Sequence, residues 1–328
     1  MSIAFFRKGE MDRVSGGADV RRPKIGVALG AGVARGWAHI GALQALVEIG
    51  VKPDVVVGAS VGAVVGGCFA AGRLDALEEF ARSLTKRNVF SFLDFSFNGG
   101  GLIGGDKLRT RLETALGAMR IEDLPVRFAG VATEIGDGHE VWLRNGPLVE
   151  AMRASYALPG VFEPVRINGR WLFDGAIVNP VPVNVARALG ADRVIALSIG
   201  SEGAGRGATL HESAAQLLPP APRSPDPTRG GVMDGLRRRG LWMRRAWSTD
   251  EDAPPGMAAV MVNTFNIAQD RIMRSRLAGD PPDFLLTLKT GRFGLFEFHR
   301  AAELIDLGRA AVRKAKDEIL EHLDLATV

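Results

Sequence analysis

The chain has 328 residues, 46% of them hydrophobic, and is long enough to bury one large core or two smaller ones. Its formal net charge of +4 is too small to indicate nucleic-acid binding by itself, and its single cysteine excludes an intramolecular disulfide and fits a reducing compartment. Residues 1–23 have only a short apolar run before Arg7 and predict a mobile arm, not a signal peptide. We expect a cytoplasmic protein without a transmembrane helix, and peripheral membrane contact stays open.

The predicted elements begin with a β-loop-α-β pattern. Lys24–Gly30 has the composition of a buried strand, and the glycine-rich loop Gly30–Gly36 follows it. A helical pattern then runs from Trp37 to Ile49, and Gly50 after it is typical of a helix C-terminus. Val51–Val57 returns as a second buried strand, so this order predicts parallel strands joined by right-handed crossovers.

The second strand leads into the motif on which the functional prediction depends. Gly58-Ala59-Ser60-Val61-Gly62 stands between a β-branched run and a stretch of small residues suited to a closely packed helix. Strand, G-x-S-x-G and helix predict a nucleophile elbow, whose sharp turn holds a serine hydroxyl at the sheet edge and requires glycine two positions either side. The alternatives are a chance motif and a transmembrane dimerisation face, but Asp54 and Arg73 bound the apolar stretch tightly.

The chain from residue 74 to residue 200 continues the alternation of helices and strands. Asn168-Gly169 between two β-type runs predicts a tight hairpin whose second arm leads into Asp174-Gly175-Ala176. The predicted helices are Leu74–Arg87, Asp106–Leu116 with Asp106 as its cap, Leu148–Ser155 and Val183–Leu189, and the predicted strands are Arg127–Ile135, Gly138–Arg144, Val165–Ile167, Trp171–Phe173 and Arg193–Ile199. Phe90–Gly101 is aromatic and glycine-rich, which favours a loop.

Residues 201–256 differ in composition and predict a proline- and arginine-rich insertion. Between Thr228 and Trp247 six arginines stand against one aspartate and alternate with Trp and Met. A membrane-docking segment, a lid over the Ser60 cleft and a plain linker all remain open. Docking on an anionic membrane would use Arg237, Arg238, Arg239, Trp242, Arg244, Arg245 and Trp247. The predicted division is the arm 1–23, a catalytic core 24–200, the insertion 201–256, and C-terminal helices and a strand in 257–328 that complete the domain.

A serine nucleophile needs a base and donors for the oxyanion. No histidine follows a late strand, where a hydrolase triad would place it, and the five are interpreted as surface or structural residues. Asp174 at the end of a hairpin arm is the carboxylate candidate, with a solvated turn aspartate as the alternative. The loop Gly30–Gly36 fails the dinucleotide fingerprint because position 35 is arginine, but its backbone N–H groups are suited to a carbonyl oxygen, with Arg35 adding charge or fixing the loop.

Together these motifs resemble the patatin-like phospholipase family, in its bacterial branch. The resemblance rests on Leu29–Gly41, the Gly58–Gly62 elbow and Asp174-Gly175-Ala176, and it covers roughly residues 24–200. Supporting motifs are Ala132-Thr133-Glu134, Arg153-Ala154-Ser155, Leu158-Pro159-Gly160 and Val178-Asn179-Pro180-Val181-Pro182.

The resemblance implies an α/β fold with a mainly parallel central sheet between two helical layers. It implies a Ser–Asp dyad without histidine, metal or cofactor, in which Ser60 is the nucleophile, Asp174 the base, and Gly32, Val33 and Arg35 the oxyanion loop. The residues flanking these motifs are Gly30, Gly36, Gly58, Gly62, Gly175 and Ala176. The substrates it implies are phospholipid or lysophospholipid esters, and the alternative is a poorly catalytic lipid-binding or regulatory protein. Ala31 and Val33 stand where the family has glycines, and a β-branched residue adopts positive φ only at a cost.

Overall fold

The computed structural model describes residues 22–87, 89, 106–200 and 257–325. In this part of the chain eight strands form one sheet in the order β5-β6-β3-β2-β1-β7-β8, and β4 pairs with β3 off this path. The strands are β1 (Ile25–Leu29), β2 (Pro53–Ala59), β3 (Arg127–Glu134), β4 (Glu140–Leu143), β5 (Val165–Ile167), β6 (Arg170–Asp174), β7 (Arg193–Gly200) and β8 (Phe284–Lys289). The neighbouring strands β3, β2, β1, β7 and β8 are parallel to one another. In contrast, β4 and β6 pair antiparallel with β3, and β5 pairs antiparallel with β6.

Helices cover both faces of the sheet. They are α1 (Ala38–Glu48), α2 (Val61–Ala70), α3 (Leu74–Ser83), α4 (Asp106–Leu116), α5 (Leu148–Tyr156), α6 (Val183–Ala188), α7 (Met257–Gly279), α8 (Ala301–Lys314) and α9 (Lys316–His322). None of the helices in the described ranges combines the length and the apolar character that crossing a bilayer requires.

The alternation of side chains along the strands divides the interior into two cores. In β2, Val56 faces the core that contains α1, α2 and α8, whereas Val55 and Val57 face the core that contains α6. Met273 and Leu277 of α7 pack against this second core. Strands buried on both faces read as continuous apolar runs, which is why the β-branched runs in the sequence predict them well. The α/β fold with three layers is therefore confirmed.

Most predicted elements occur within a few residues of their expected bounds. The hairpin turn is confirmed, with φ of 49° at Asn168 and 82° at Gly169, the pair of positive values that a type I′ turn requires. The helix predicted over Leu74–Arg87 ends earlier because Leu84 is extended. The described part of α4 starts at Asp106, and the capping role of this residue stays a prediction. A short 3₁₀ helix over Val33–Trp37, which the sequence did not indicate, precedes α1. Residues 1–21 of the arm, the whole loop Phe90–Gly101 and the insertion lie outside the described residues.

Candidate active site

The chain turns sharply at Ser60, between the end of β2 and the start of α2. Ser60 has φ of 57° and ψ of −129°, a backbone conformation that a non-glycine residue adopts only under strain. A Cβ atom on Gly58 would overlap the backbone of Gly62, and a Cβ on Gly62 would overlap the carbonyl oxygen of Leu29. The expectation that both positions require glycine thus has a direct steric basis here.

Ser60 and Asp174 lie in direct contact. Oγ of Ser60 donates a hydrogen bond to Oδ2 of Asp174 at 2.7 Å. One strand sets this distance, because β3 pairs with both elements at adjacent residues: Val131 is opposite Ala59, and Ala132 is opposite Asp174. The next residue after Ala59 is Ser60, so the two functional groups meet at the same edge of the sheet.

The environment of Asp174 raises its pKa. The residue is fully buried, and desolvation of the carboxylate raises the pKa from 3.8 to about 7, although hydrogen bonds from Ser60 and from the N–H of Ala176 lower it in part. The Ala176 N–H donates to Oδ1 at 2.9 Å, so each carboxylate oxygen has a partner. Gly175 is needed beside it because a Cβ there would overlap the Val131 carbonyl. A carboxyl group with this pKa exchanges its proton near neutral pH.

Two buried hydroxyl groups hold the pair in place, and the sequence assigned a role to neither of them. Ser155 accepts a hydrogen bond from the backbone N–H of Ser60 at 3.0 Å and donates to the Val131 carbonyl at 2.6 Å. Thr133 donates to the backbone carbonyl of Asp174 at 2.9 Å. The sequence feature that could have indicated these roles is a serine and a threonine within apolar runs. A hydroxyl buried in such a run needs a hydrogen-bond partner.

The glycine-rich loop is fixed at both ends and leaves two backbone donors. Ala31 donates its N–H to the Pro180 carbonyl, Ala34 donates to Leu295, and Arg35 donates to the carbonyl of Gly32. Nε of Arg35 also donates to the Phe293 carbonyl at 2.7 Å. In the described part of the chain, Gly32 and Val33 have no acceptor for their backbone N–H groups.

The resemblance implied that Gly32, Val33 and Arg35 together form the oxyanion loop, but their backbone N–H groups differ in the structure. In the described ranges the backbone N–H groups of Gly32 and Val33 are without an acceptor, whereas Arg35 uses its N–H and its Nε within the protein. Of the two roles considered for Arg35, fixing the loop matches these contacts. Val33 has φ of 52°, so it adopts the costly left-handed conformation, and its side chain packs against Leu158 and Val161.

No histidine in the described ranges hydrogen-bonds to Ser60 or Asp174. His39 is fully buried, its Nε2–H donates to the Gly30 carbonyl at 2.8 Å, and burial lowers its pKa to about 4. It therefore supports the start of the glycine-rich loop as a neutral residue. Burial has the opposite effect on the Cys68 thiol, whose pKa it raises to about 12, as expected for a packed core cysteine.

Ser60 opens into an apolar cavity. Apart from its own hydroxyl, the polar groups among the lining side chains are the Tyr156 hydroxyl and the Trp37 indole N–H. The other side chains are aliphatic or phenylalanine. The cavity is lined by Val33, Trp37, Ser60, Val61, Val64, Phe80, Leu84, Val89, Leu108, Tyr156, Leu158, Phe162 and Phe298.

The turn between β3 and β4 brings three possible metal ligands together, Glu134, Asp137 and His139, with ligand atoms within 4.8 Å of one another. Asp137 and His139 are exposed, and Arg170 lies 3.7 Å from the Glu134 carboxylate, where its charge opposes a cation. This turn is separate from the lining of the Ser60 cavity.

Comparison with known proteins agrees with this geometry. Residues 27–187 match the family model described as patatin-like phospholipase. An "uncharacterized NTE family protein" from Mycobacterium bovis is 35% identical over 89% of this chain and 91% of the relative. The chain belongs to the patatin-like phospholipase family.

Two further comparisons place this patatin-like chain more broadly. Patatin-like phospholipase domain-containing protein 6 from Mus musculus is 33% identical over 54% of the chain but only 14% of that much longer relative. VipD from Legionella pneumophila covers 90% of the chain and 67% of its own length, with a TM-score of 0.51 and 14% identity. At that identity the likeness to VipD supports the fold alone.

Proposed function

We propose that this patatin-like protein is a serine acyl hydrolase that cleaves lipid carboxylic esters through an acyl-Ser60 intermediate. The observation that carries the proposal is the 2.7 Å hydrogen bond from Ser60 Oγ to the buried carboxylate of Asp174. A hydroxyl paired with a base of pKa about 7 is the arrangement that nucleophilic catalysis needs at neutral pH.

The proposed reaction has two halves. Asp174 accepts the Oγ proton as Oγ bonds to the ester carbonyl carbon, and the carbonyl electron pair moves to the oxygen, toward the N–H groups of Gly32 and Val33. The intermediate collapses, the bond to the leaving alkoxide breaks, and Asp174 returns the proton to that alkoxide. In the second half, Asp174 takes a proton from water as the oxygen of that water bonds to the acyl carbon. The intermediate then collapses, the bond between Oγ and the acyl carbon breaks, and Asp174 returns the proton to Oγ, which releases the carboxylic acid and restores Ser60.

The nature of the cavity supports a lipid as the substrate. An acyl chain gains about 0.8 kcal/mol for each methylene group that it buries, and the lining beside Ser60 is almost wholly apolar. Phospholipids and lysophospholipids both carry such a chain next to an ester carbonyl. The proposal covers either class, and the alternative is a patatin-fold protein that binds lipid and hydrolyses it poorly.

A fluorophosphonate probe and an ester panel together separate the enzyme from the lipid-binding alternative. Ser60 should displace fluoride and form an Oγ–P bond, so intact-protein mass spectrometry should show one adduct in wild type and none in Ser60→Ala. The same pair of proteins is then assayed on a panel of phospholipid and lysophospholipid esters. Labelling without turnover of any ester would favour the lipid-binding protein, and equal turnover by Ser60→Ala would contradict the nucleophile assignment.

We also propose that the insertion docks on an anionic membrane through its basic and aromatic residues, which lie outside the described residues. The support is the sequence, because each arginine near an anionic surface can add about 1 kcal/mol. Deleting Gly231–Trp247 should lower activity on anionic vesicles more than activity on a soluble short-chain ester. Vesicle co-sedimentation that the deletion leaves unchanged and that salt does not weaken would contradict this proposal.

A further inference from the structure

The cavity beside Ser60 follows one face of helix α2. Val61 and Val64 line it, and Cys68 lies two turns of helix from Val61 on the same side, roughly 10 Å along the axis. Cys68 does not line this cavity. It lines a second space between α3 and α4, which we call the outer cleft. The two spaces therefore follow each other along α2, with Ser60 at the inner end.

Two side chains border both spaces. Phe80 of α3 and Leu108 of α4 line the Ser60 cavity and also the cleft between α3 and α4. Both are partly exposed, in contrast to Val64 and Leu84, which are almost fully buried in the cavity lining. Phe80 and Leu108 thus form the wall between the cavity and the cleft, and we refer to them as the end wall.

The spaces on the two sides of the end wall differ in chemistry. The Ser60 cavity is lined by aliphatic and aromatic side chains, whereas the outer cleft also carries Arg73, Glu79 and Arg111. A methylene group inside the end wall loses contact with water, and one beyond it meets charged side chains and solvent. Each added methylene group therefore contributes to binding only as far as the end wall.

We propose that Phe80 and Leu108 set the acyl-chain length that this protein prefers, by closing the acyl cavity at its far end from Ser60. The inference rests on the proposed function, because it takes the ester carbonyl to sit at Ser60. Chains that fill the cavity bind best, and longer chains must displace Phe80 or Leu108 to enter the outer cleft. The end wall is a specificity determinant and takes no part in the chemical step.

The test compares octyl and hexadecyl fluorophosphonates, and the readout is the second-order rate of Ser60 labelling in the full-length protein. Phe80→Ala and Leu108→Ala should each raise the hexadecyl-to-octyl rate ratio by about tenfold or more, since a single methylene group in an apolar pocket has an effect of at least this order and each substitution removes several carbon atoms. Phe80→Leu should give a smaller shift in the same direction and guards against misfolding of the alanine variant. Thermal unfolding of each variant shows that it is folded.

The matched control is Leu112→Ala. Leu112 lies one turn beyond Leu108 on α4, is buried and lines the outer cleft but not the Ser60 cavity. Its truncation should leave the rate ratio at the wild-type value. The reverse change, Leu108→Phe, should lower the ratio by narrowing the far end of the cavity.

The outcomes separate this inference from the proposed function. Labelling of Ser60 at a ratio that Phe80→Ala, Phe80→Leu and Leu108→Ala leave unchanged would overturn the end wall and leave the hydrolase proposal intact. The same follows if Leu112→Ala shifts the ratio as much as Leu108→Ala. Absence of Ser60 labelling by either reagent in wild-type protein would instead overturn the proposed function, and the inference with it.

Discussion

The backbone N–H of Ser60 is held by the hydroxyl of Ser155, at 3.0 Å, in a fully buried position on α5. That hydroxyl also donates to the Val131 carbonyl on β3, so one side chain joins the strained turn to the central sheet. A residue at φ of 57° keeps such a conformation only where its surroundings determine it strongly. Ser155 is therefore a positioning residue for the proposed nucleophile.

Replacing Ser155 with alanine should weaken both the fold and the reaction. The change leaves a buried N–H and a buried carbonyl without this partner, at a cost of about 1–3 kcal/mol in the free energy of unfolding. Loss of orientation at Ser60 should lower kcat by about tenfold to a hundredfold. Urea unfolding and ester kinetics measure the two effects. Ser198→Ala, which removes a buried hydroxyl that contacts Thr287 on β8, is the control and should keep the wild-type kcat.

The rate of ester hydrolysis should fall as the pH drops through about 7. Asp174 must be ionised to accept the Ser60 proton, and burial raises its pKa to about 7, so kcat/KM should be half its plateau near that pH. Measuring kcat/KM across the neutral range on a soluble ester checks this. An acid limb near pH 4 would contradict the raised pKa.

This pH limb lies where a histidine usually titrates, so the profile alone does not identify the base. Asp174→Asn should remove activity by orders of magnitude, and no single histidine-to-alanine change should match it. His39 is a test of this point, because its pKa of about 4 keeps it neutral over the whole limb. A histidine variant as inactive as Asp174→Asn would instead support a catalytic triad that includes that histidine.

The stability of the protein should also depend on Asp174. The folded-state pKa is raised, so the folded protein holds a proton between pH 3.8 and about 7 that the unfolded chain has released. The stabilisation from this group is fully present below pH 3.8 and is lost as the pH rises to about 7. At pH 8 Asp174→Asn should therefore unfold at a higher temperature than wild type, whereas the difference should shrink or reverse at pH 4. Melting temperatures at the two pH values test this, and a lower value for the variant at pH 8 would contradict it.

Gly62→Ala should severely destabilise the fold. The added Cβ would overlap the backbone carbonyl of Leu29, which cannot move without disturbing β1, so we expect a loss of about 3 kcal/mol or more in the free energy of unfolding. Gly130→Ala is the matched control: it also lies in the buried core, but its Cβ would meet Ala63 at an ordinary 3.6 Å. That variant should stay within about 1 kcal/mol of wild type. Chemical denaturation of both proteins gives the comparison, and equal losses would argue against the tight turn.

The sequence was informative where local chemistry decides the structure. The β-branched runs, the Asn168-Gly169 turn and the elbow glycines each carry their own steric or burial requirement, and these elements form where the sequence predicted them. The elbow motif itself predicted Ser60 as a nucleophile, whereas the role of Asp174 as base came from the resemblance, since nothing near Asp174 in the sequence distinguishes it from a solvated turn aspartate. Their contact depends on the pairing of β3 with two distant strands.

What the sequence missed depends on long-range packing. The hydrogen bonds of Ser155 and the raised pKa of Asp174 both depend on complete burial. Which single polar residue becomes buried is decided by the elements that pack over it. The backbone conformation of Val33 also depends on long-range contacts. Its β-branched side chain disfavours positive φ, yet it adopts 52° where its loop is held by the Pro180 and Leu295 carbonyls. The division into domains and the catalytic roles of the loop residues stay predictions.

The pairing of β3 with Ala59 and Asp174 has a consequence for how this protein can diversify. Two adjacent residues of one strand fix the spacing of the proposed dyad, and the helices α3 and α4, which are inserted between its members, take no part in this pairing. Phe80 and Leu108 both lie on such inserted helices. Substitutions that remodel the acyl cavity can therefore accumulate without altering the reacting atoms. If both proposals hold, we expect chain-length preference and chemistry to be separately evolvable in this fold.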